Sequence, residues 1–259
     1  MKKIVIALIV ALYMSGCIGF LHLEAEGNFE SIPSLGIDVK EINDDLYIKS
    51  VLPDYPAAAA GLKPGDIIIS VDGSSIKTLK DYILSSRYKK SDEVMVVEIK
   101  RGNDYRKFDL LPKQRKRLLS ALKIEDLLLE NKRVSLAIVV SDIRNSYPNS
   151  SDWILAEKNH QLSDIEAGML QAFSDFKNFT IVDRSRLQNI LAEHRLEQLG
   201  LISDEIRNKI GEFTGATLIY DITYQRFIGA ANKPDDYQSG RLIDVQTGNV
   251  LAVDSIRYR

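Results

Sequence analysis

Apolar and polar positions change period several times along this 259-residue chain. Residues 4–14 form an apolar run behind Lys2-Lys3. Residues 18–33 keep no period and carry Glu24, Glu26, Gly27, Asn28 and Glu30, which predicts a tether. Residues 35–39 and 46–51 flank an Asn43-Asp44-Asp45 turn and predict two strands. A short alanine turn (57–60) follows, then the β-branched run Ile67-Ile68-Ile69, which stops at Asp72-Gly73. Leu79, Tyr82, Ile83 and Ser86 recur at helical spacing over 77–87. Strands over 93–101 and 105–111 flank Gly102-Asn103-Asp104 as a hairpin. Residues 114–133 mix charges with leucines, lack Gly and Pro, and predict a linker helix. Its Arg115-Lys116-Arg117 cluster also suits a helix lying on a membrane. A solvated connector packing one leucine stripe is the simpler reading.

The remainder alternates strand and helix. Residues 134–140 are almost continuously apolar, as a strand buried on both faces requires. Ile165, Met169, Phe173 and Phe176 define one face of a helix over 161–176, opened by the capping box Ser163-Asp164-Ile165-Glu166. A strand over 179–183 precedes helices over 185–199 and 203–213, the second with Asp204-Glu205 where the helix dipole favours carboxylates. A strand over 217–227 and a hairpin of 241–245 with 249–258 complete the pattern. There is no internal repeat.

Charge and cysteine narrow the setting. Lysine and arginine total 34 against 36 acidic residues, so the balance does not favour nucleic acid. With 45% hydrophobic and 27% charged residues, the composition is that of an ordinary globular protein. Cys17 is the single cysteine, which excludes disulfides within the chain and cysteine-based metal sites. Lys2-Lys3, the apolar run and Met14-Ser15-Gly16-Cys17 have the layout of an export signal. The last four residues resemble the lipobox of bacterial lipoproteins, which implies cleavage after residue 16 and acylation of Cys17. Residues 4–16 are too short for a span, which needs about 20 residues. Several acyl chains would hold stably where one binds marginally. Ile18, where an aspartate would favour the inner membrane, implies the outer membrane, facing the periplasm.

The stretch Tyr55-Pro-Ala-Ala-Ala-Ala-Gly-Leu-Lys-Pro-Gly-Asp-Ile-Ile-Ile-Ser-Val-Asp-Gly73 has a fixed physical order: alanine turn, positive-φ glycine, Pro-Gly turn, strand, Asp-Gly turn. It resembles the PDZ family in its bacterial, HtrA (high-temperature-requirement) form. That implies a peptide-binding module with a partly open β-barrel and two helices over 34–113. Ser34, Leu35, Gly36 and Ile37 match the family's carboxylate loop. Ile37 and Val39 would line the strand side of the groove, and Leu79 and Ile83 the helix side. A place in the core is an equal alternative for each of these apolar residues.

Three pieces of the last half carry a second likeness. Phe179-Thr-Ile-Val-Asp-Arg184 runs into a leucine-rich helix, Gly215-Ala216 leads into Thr217-Leu218-Ile219-Tyr220, and 241–251 reads as strand, tight turn, strand. The set is similar to the periplasmic domain of curli secretion-channel lipoproteins, related to lipoprotein domains that activate penicillin-binding proteins. It implies an α/β layered domain with a mixed sheet over 134–259. Each piece also has a structural reading, as strand end, helix stop and hairpin bulge. The curli channels insert transmembrane hairpins, but 141–159 and 226–240 are too polar to supply them, so no pore is expected from this chain alone.

Catalytic chemistry is not expected. No nucleophile elbow or glycine-rich phosphate loop occurs. His22, His160 and His194 lie far apart and outside metal-ligand spacing, so neither metal nor cofactor is expected. An HtrA-type protease domain would need about 200 residues, and only 18–33 precede the PDZ-like stretch. The expected whole is α+β: signal 1–16, lipidated Cys17 with a tether to 33, PDZ-like domain 34–113, linker helix 114–133 and curli-like domain 134–259. It would be a lipid-anchored adaptor that takes protein C-termini or segments and does not bind nucleic acid. Two other readings stand beside it. One is a subunit of an oligomeric secretion complex without its own pore, the other a regulator feeding substrates to a separate protease.

Overall fold

The computed structural model describes residues 25–90, 92–145, 163, 165–193, 202–228 and 234–258. The signal segment and Cys17 lie outside these residues. The chain divides into two compact units, Glu30–Arg117 and Met1–Phe29 with Leu118–Arg259.

Strand β1 (Ala25–Gly27) belongs to the second unit. The first unit follows with β2 (Phe29–Ser34), β3 (Ile37–Ile42), β4 (Asp45–Val51), α1 (Pro56–Ala59), β5 (Ile67–Val71), β6 (Ser74–Ser75), α2 (Leu79–Ser86), β7 (Met95–Arg101), β8 (Asp104–Leu110) and β9 (Lys113–Leu118). Its main sheet runs β3-β4-β5-β7-β8, with β6 on β5, and all its pairings are antiparallel. Both ends of that order stay open, as expected of a partly open barrel. Strand β2 pairs β9 separately. Alternating strand positions supply the core, Leu46 and Ile48, then Met95, Val97 and Ile99, with Ile68 and Val71 on either side of an irregularity in β5, joined by Ala57, Leu62 and Leu110.

Buried charge pins the signature loop to this core. Gly61 (φ 83°) and Gly65 (φ 91°) take the left-handed conformation and bend the chain twice. Asp66 then turns inward, 1% exposed. Both its oxygens face Arg101, at 2.6 Å from Nε and 2.7 Å from Nη2, and Oδ2 also accepts the Lys63 N–H at 2.8 Å. Arg101 reaches on to the Gly61 carbonyl at 2.9 Å. Burial pushes the Asp66 carboxyl up. The hydrogen bonds from Arg101 and Lys63, with the Arg101 charge, outweigh it and hold the group below its ordinary value.

The second unit adds α3 (Leu119–Leu129), β10 (Val134–Asn145), α4 (165–173), β11 (Phe179–Ile181), α5 (Arg184–Glu193), α6 (Asp204–Thr214), β12 (Leu218–Ile228), β13 (Pro234–Asp244) and β14 (Val250–Tyr258). Its sheet runs β1-β14-β13-β12-β10-β11. It is mixed: β10 pairs β11 and β12 in parallel, and the other pairings are antiparallel. Strand β10 shows why its sequence is continuously apolar. Leu136, Ile138 and Val140 pack with residues of α3 and α4, while Ala137 and Val139 face Leu187 of α5 and Ile206 and Ile210 of α6. The expected α+β architecture with a layered second domain is thus present.

Several expected boundaries differ. Residues 114–133 are not one linker helix. The first of them continue β9, and α3 follows with Ala121, Ile124 and Leu128 buried in the second unit's core. The tether is replaced from residue 25 onward by β1 and β2. Strand β1 pairs β14 in the register Ala25↔Tyr258, and the Asn28 side chain adds a bond from Nδ2 to the Val253 carbonyl at 2.6 Å. The first unit is therefore inserted between the edge strand β1 and the rest of the second unit. Residue 228 and residues 234–240, outside the expected strands, extend the β12–β13 hairpin, with pairs such as Phe227↔Asp235. Strand β10 likewise runs on to Asn145.

Helix α3 solves its N-terminus from a distance. Its N-cap residue, Leu118, has no side-chain acceptor. Asp254 of β14 takes that place. It accepts from Ser120 N at 3.2 Å, from Ser120 Oγ, from the Tyr220 hydroxyl at 2.8 Å and from the Leu119 N–H. The carboxylate is fully buried. Gly240 makes room, since a Cβ there would overlap the Tyr220 hydroxyl. Burial raises the Asp254 carboxyl above its ordinary value, and these hydrogen bonds offset only part of the rise.

Candidate peptide-binding groove

The groove of the first unit is built from one loop, one strand edge and one helix. The loop is Ser34-Leu35-Gly36-Ile37. The Leu35 carbonyl accepts from Ala57 N at 3.1 Å and the Gly36 carbonyl from Leu52 N at 2.7 Å. Across a trans peptide N–H and C=O point oppositely, so the Gly36 and Ile37 amides face away from α1 and β4. The Leu52–Gly36 bond also makes Ile37↔Val51 a non-hydrogen-bonded pair. The N–H and C=O of Ile37 consequently point to the far side of β3. There β3 ends the sheet order and has no neighbouring strand among the described residues. The Ser34 hydroxyl accepts the Gly36 N–H at 3.2 Å.

Gly36 is required here. Its φ is 75°, and a Cβ would overlap the Tyr55 side chain, which backs the loop. A substitution at this position disturbs Tyr55 packing as well as the loop and does not isolate ligand binding. Tyr55 was not evident from the sequence as a support of this loop. Lys113 covers the tyrosine ring from β9, with its ammonium 5.7 Å from the ring centroid and bonded to the Asp54 carbonyl.

Helix α2 stands beside β3 and is fixed at its start. Thr78 Oγ1 accepts the Asp81 N–H at 3.1 Å, and Asp81 Oδ2 accepts the Thr78 N–H at 2.9 Å. The Thr78-x-x-Asp81 spacing is the sequence signal for this capping box. Glu41 of β3 bonds the Leu79 N–H at 3.2 Å and ties strand to helix. No sequence signal marks that bond, because a lone carboxylate on a strand reads as solvated.

The residues expected to form the site fall into two groups. Leu35 (2% exposed) and Val39 (5%) give their side chains to the core, which leaves backbone groups to meet a ligand. Ser34, Ile37, Leu79 and Ile83 are half-buried. Ile37 and Leu79 also pack on the core from its rim. Ile83 is one helical turn from Leu79 and shares its face of α2. Among the described residues no cluster of metal-ligating side chains occurs.

Comparison with known proteins divides the chain at the same place. Residues 33–111 match the PDZ domain family. Residues 123–221 match the curli production assembly/transport component CsgG. The chain thus carries a PDZ domain followed by a CsgG-like domain. It is similar to serine protease HTRA1 of Xenopus tropicalis, 36% identical over 90 residues, which are 35% of this chain and 19% of that protein. HTRA1A of Danio rerio is 40% identical over 67 residues, 26% of this chain and 13% of that protein. The chain spans less than a fifth of these curated relatives, and the matches cover their PDZ domain and not their protease domain. Among solved structures, the HtrA3 PDZ domain bound to a phage-derived ligand (FGRWV) is 20% identical with a TM-score of 0.31, covering 36% of this chain and 93% of that one. The LpoB C-terminal domain from Salmonella enterica is 15% identical with a TM-score of 0.38, covering 54% and 94%.

Proposed function

We propose that this protein is a lipid-anchored adaptor of the bacterial cell envelope. Its PDZ domain takes a protein C-terminus or extended segment, and its CsgG-like domain docks on an envelope assembly. The observation that carries this reading is the open edge of β3, with the Ile37 amide turned outward beside α2. A peptide added there as a strand gains main-chain hydrogen bonds from β3 and places its side chains toward Ile37, Leu79 and Ile83. A terminal carboxylate would take the Gly36 and Ile37 amides, displacing the Ser34 hydroxyl from Gly36. Similarity confined to the PDZ portion of the serine proteases supports recognition rather than catalysis as the role of this unit.

Leu79→Lys places an ammonium among the apolar groups of the groove, where desolvation opposes it. The expected outcome is a ten- to hundredfold loss of affinity for C-terminal peptides selected from a library, corresponding to roughly 1–3 kcal/mol. The check is a binding isotherm on protein whose circular dichroism is unchanged. Wild-type protein that captures no peptide, with a free or an internal end, would refute the reading.

The anchor is the lipobox-like Met14-Ser15-Gly16-Cys17, with the outer membrane, facing the periplasm, as its place. Cys17→Ser should move the protein from the membrane to the soluble fraction of the envelope. Unchanged fractionation, together with no acyl mass on the purified wild type, would count against lipidation.

A further inference from the structure

The rim of the groove holds one carboxylate from β3. Glu41 stands on β3 on the same side as Ile37 and Val39, because strand side chains alternate. The irregularity in the β3–β4 ladder lies between Asp38↔Ser50 and Val39↔Ile48, so the extra residue, Lys49, is on β4 and the alternation of β3 is intact. Glu41 Oε2 accepts the Leu79 N–H at 3.2 Å, which holds the carboxylate at the rim between β3 and the start of α2. The side chain is half-buried, and its second oxygen accepts nothing from the described residues. A fixed, partly desolvated carboxylate with a free oxygen is a receptor for a cation.

We infer that the groove selects peptides carrying lysine or arginine four residues before the C-terminal residue. This rests on the peptide-binding reading. In a strand added antiparallel to β3, the residue opposite Ile37 and the residue opposite Glu41 are four apart and point to the same side. With the terminal residue opposite Ile37, where the outward amides lie, the fourth residue upstream meets Glu41. A cation there pairs with a carboxylate already oriented by α2. An acidic side chain there meets a like charge.

The test uses three fluorescein-labelled decapeptides ending in valine, identical except for Lys, Gln or Glu at the fourth residue before the last. Each is titrated by fluorescence anisotropy into residues 18–259, wild type and Glu41→Gln. Glutamine keeps a carbonyl for the Leu79 N–H, so the tie to α2 remains. The wild type should bind the Lys peptide about two- to fivefold tighter than the Gln peptide, and the Glu peptide weaker by a similar factor. Added salt should compress these ratios. In Glu41→Gln they should fall to about one, with affinity for the Gln peptide unchanged. A wild type indifferent to the charge, or a ranking that persists in Glu41→Gln, overturns the inference. Loss of all three peptides in Glu41→Gln overturns it too, and assigns Glu41 to holding α2 in place. If the wild type binds none of the three, the capture of free C-termini fails first, and this inference with it.

Discussion

Replacing Asp66 by alanine is expected to melt the PDZ unit about 10–30 °C below the wild type, while the CsgG-like unit keeps its own transition. The carboxylate is buried, holds Arg101 by two hydrogen bonds and caps the Lys63 N–H. Its removal leaves a partly buried guanidinium without its anion and a turn without its acceptor. Breaking a buried pair from one side costs about 3–5 kcal/mol, and the Arg101 side chain, 25% exposed, lowers that to roughly 2–4. A domain of this size shifts about 4–8 °C per kcal/mol. The Asp66 carboxyl is held below its unfolded value, so its contribution is present above the ordinary carboxylate pKa. It is lost as pH falls through the folded value. Calorimetry of wild type and variant from pH 7 downward should show the gap closing in acid. Coincident melting curves at neutral pH would show that the Asp66–Arg101 pair contributes nothing.

Asp254→Ala should be as damaging in the other unit. It strips the acceptor from the buried Ser120 amide and hydroxyl, from the buried Tyr220 hydroxyl and from the Leu119 N–H. Buried donors left unpaired cost about 1–3 kcal/mol each. Relaxation reduces the sum, and about 3–5 kcal/mol is expected for the unit. The PDZ unit should keep its melting temperature. Here the sign of the pH effect is opposite. Burial holds the Asp254 carboxyl above its unfolded value, so its contribution is greatest below the ordinary carboxylate pKa and falls as pH rises through the folded one. The stability difference between wild type and Asp254→Asn should therefore move against the wild type as pH rises. A difference that is flat with pH would mean that the carboxylate keeps one protonation state throughout.

Much of the PDZ unit was legible because its signals are local. Gly61 and Gly65 stand where the backbone needs positive φ, and the apolar alternation of 46–48 and 95–99 and the β-branched run 67–69 fall on observed strands. The leucines of 118–128 were legible as one stripe, but not that they belong to the core of the second unit. Strand β9, Lys113-Gln-Arg-Lys-Arg-Leu118, has a composition that suits a helix, and only its pairing with β2 makes it extended. Strand β13 was hidden by Asp235, Asp236 and Gly240, the last present to clear Tyr220. In the groove, Gly36 was marked by the PDZ resemblance, and helical spacing put Leu79 and Ile83 on one face. Tyr55 behind the loop and Glu41 across to α2 could not be read, since neither contact follows from a sequence period. The core positions of Leu35 and Val39 were left open by their chemistry and resolved by burial.

The insertion of the PDZ unit into the chain of the other has a consequence for synthesis. Strand β1 is the first described stretch to leave the ribosome, and its partner β14 is the last. The Asn28 side chain waits for Val253, 225 residues later. Every strand of the PDZ sheet emerges between the two, and each pairs only with strands of that sheet. The PDZ unit is complete and able to close while the larger sheet still lacks β10 to β14. Ribosome-bound chains stalled shortly after residue 117 should already resist protease within 30–117. Stalling before β14 should leave β1 open to cleavage.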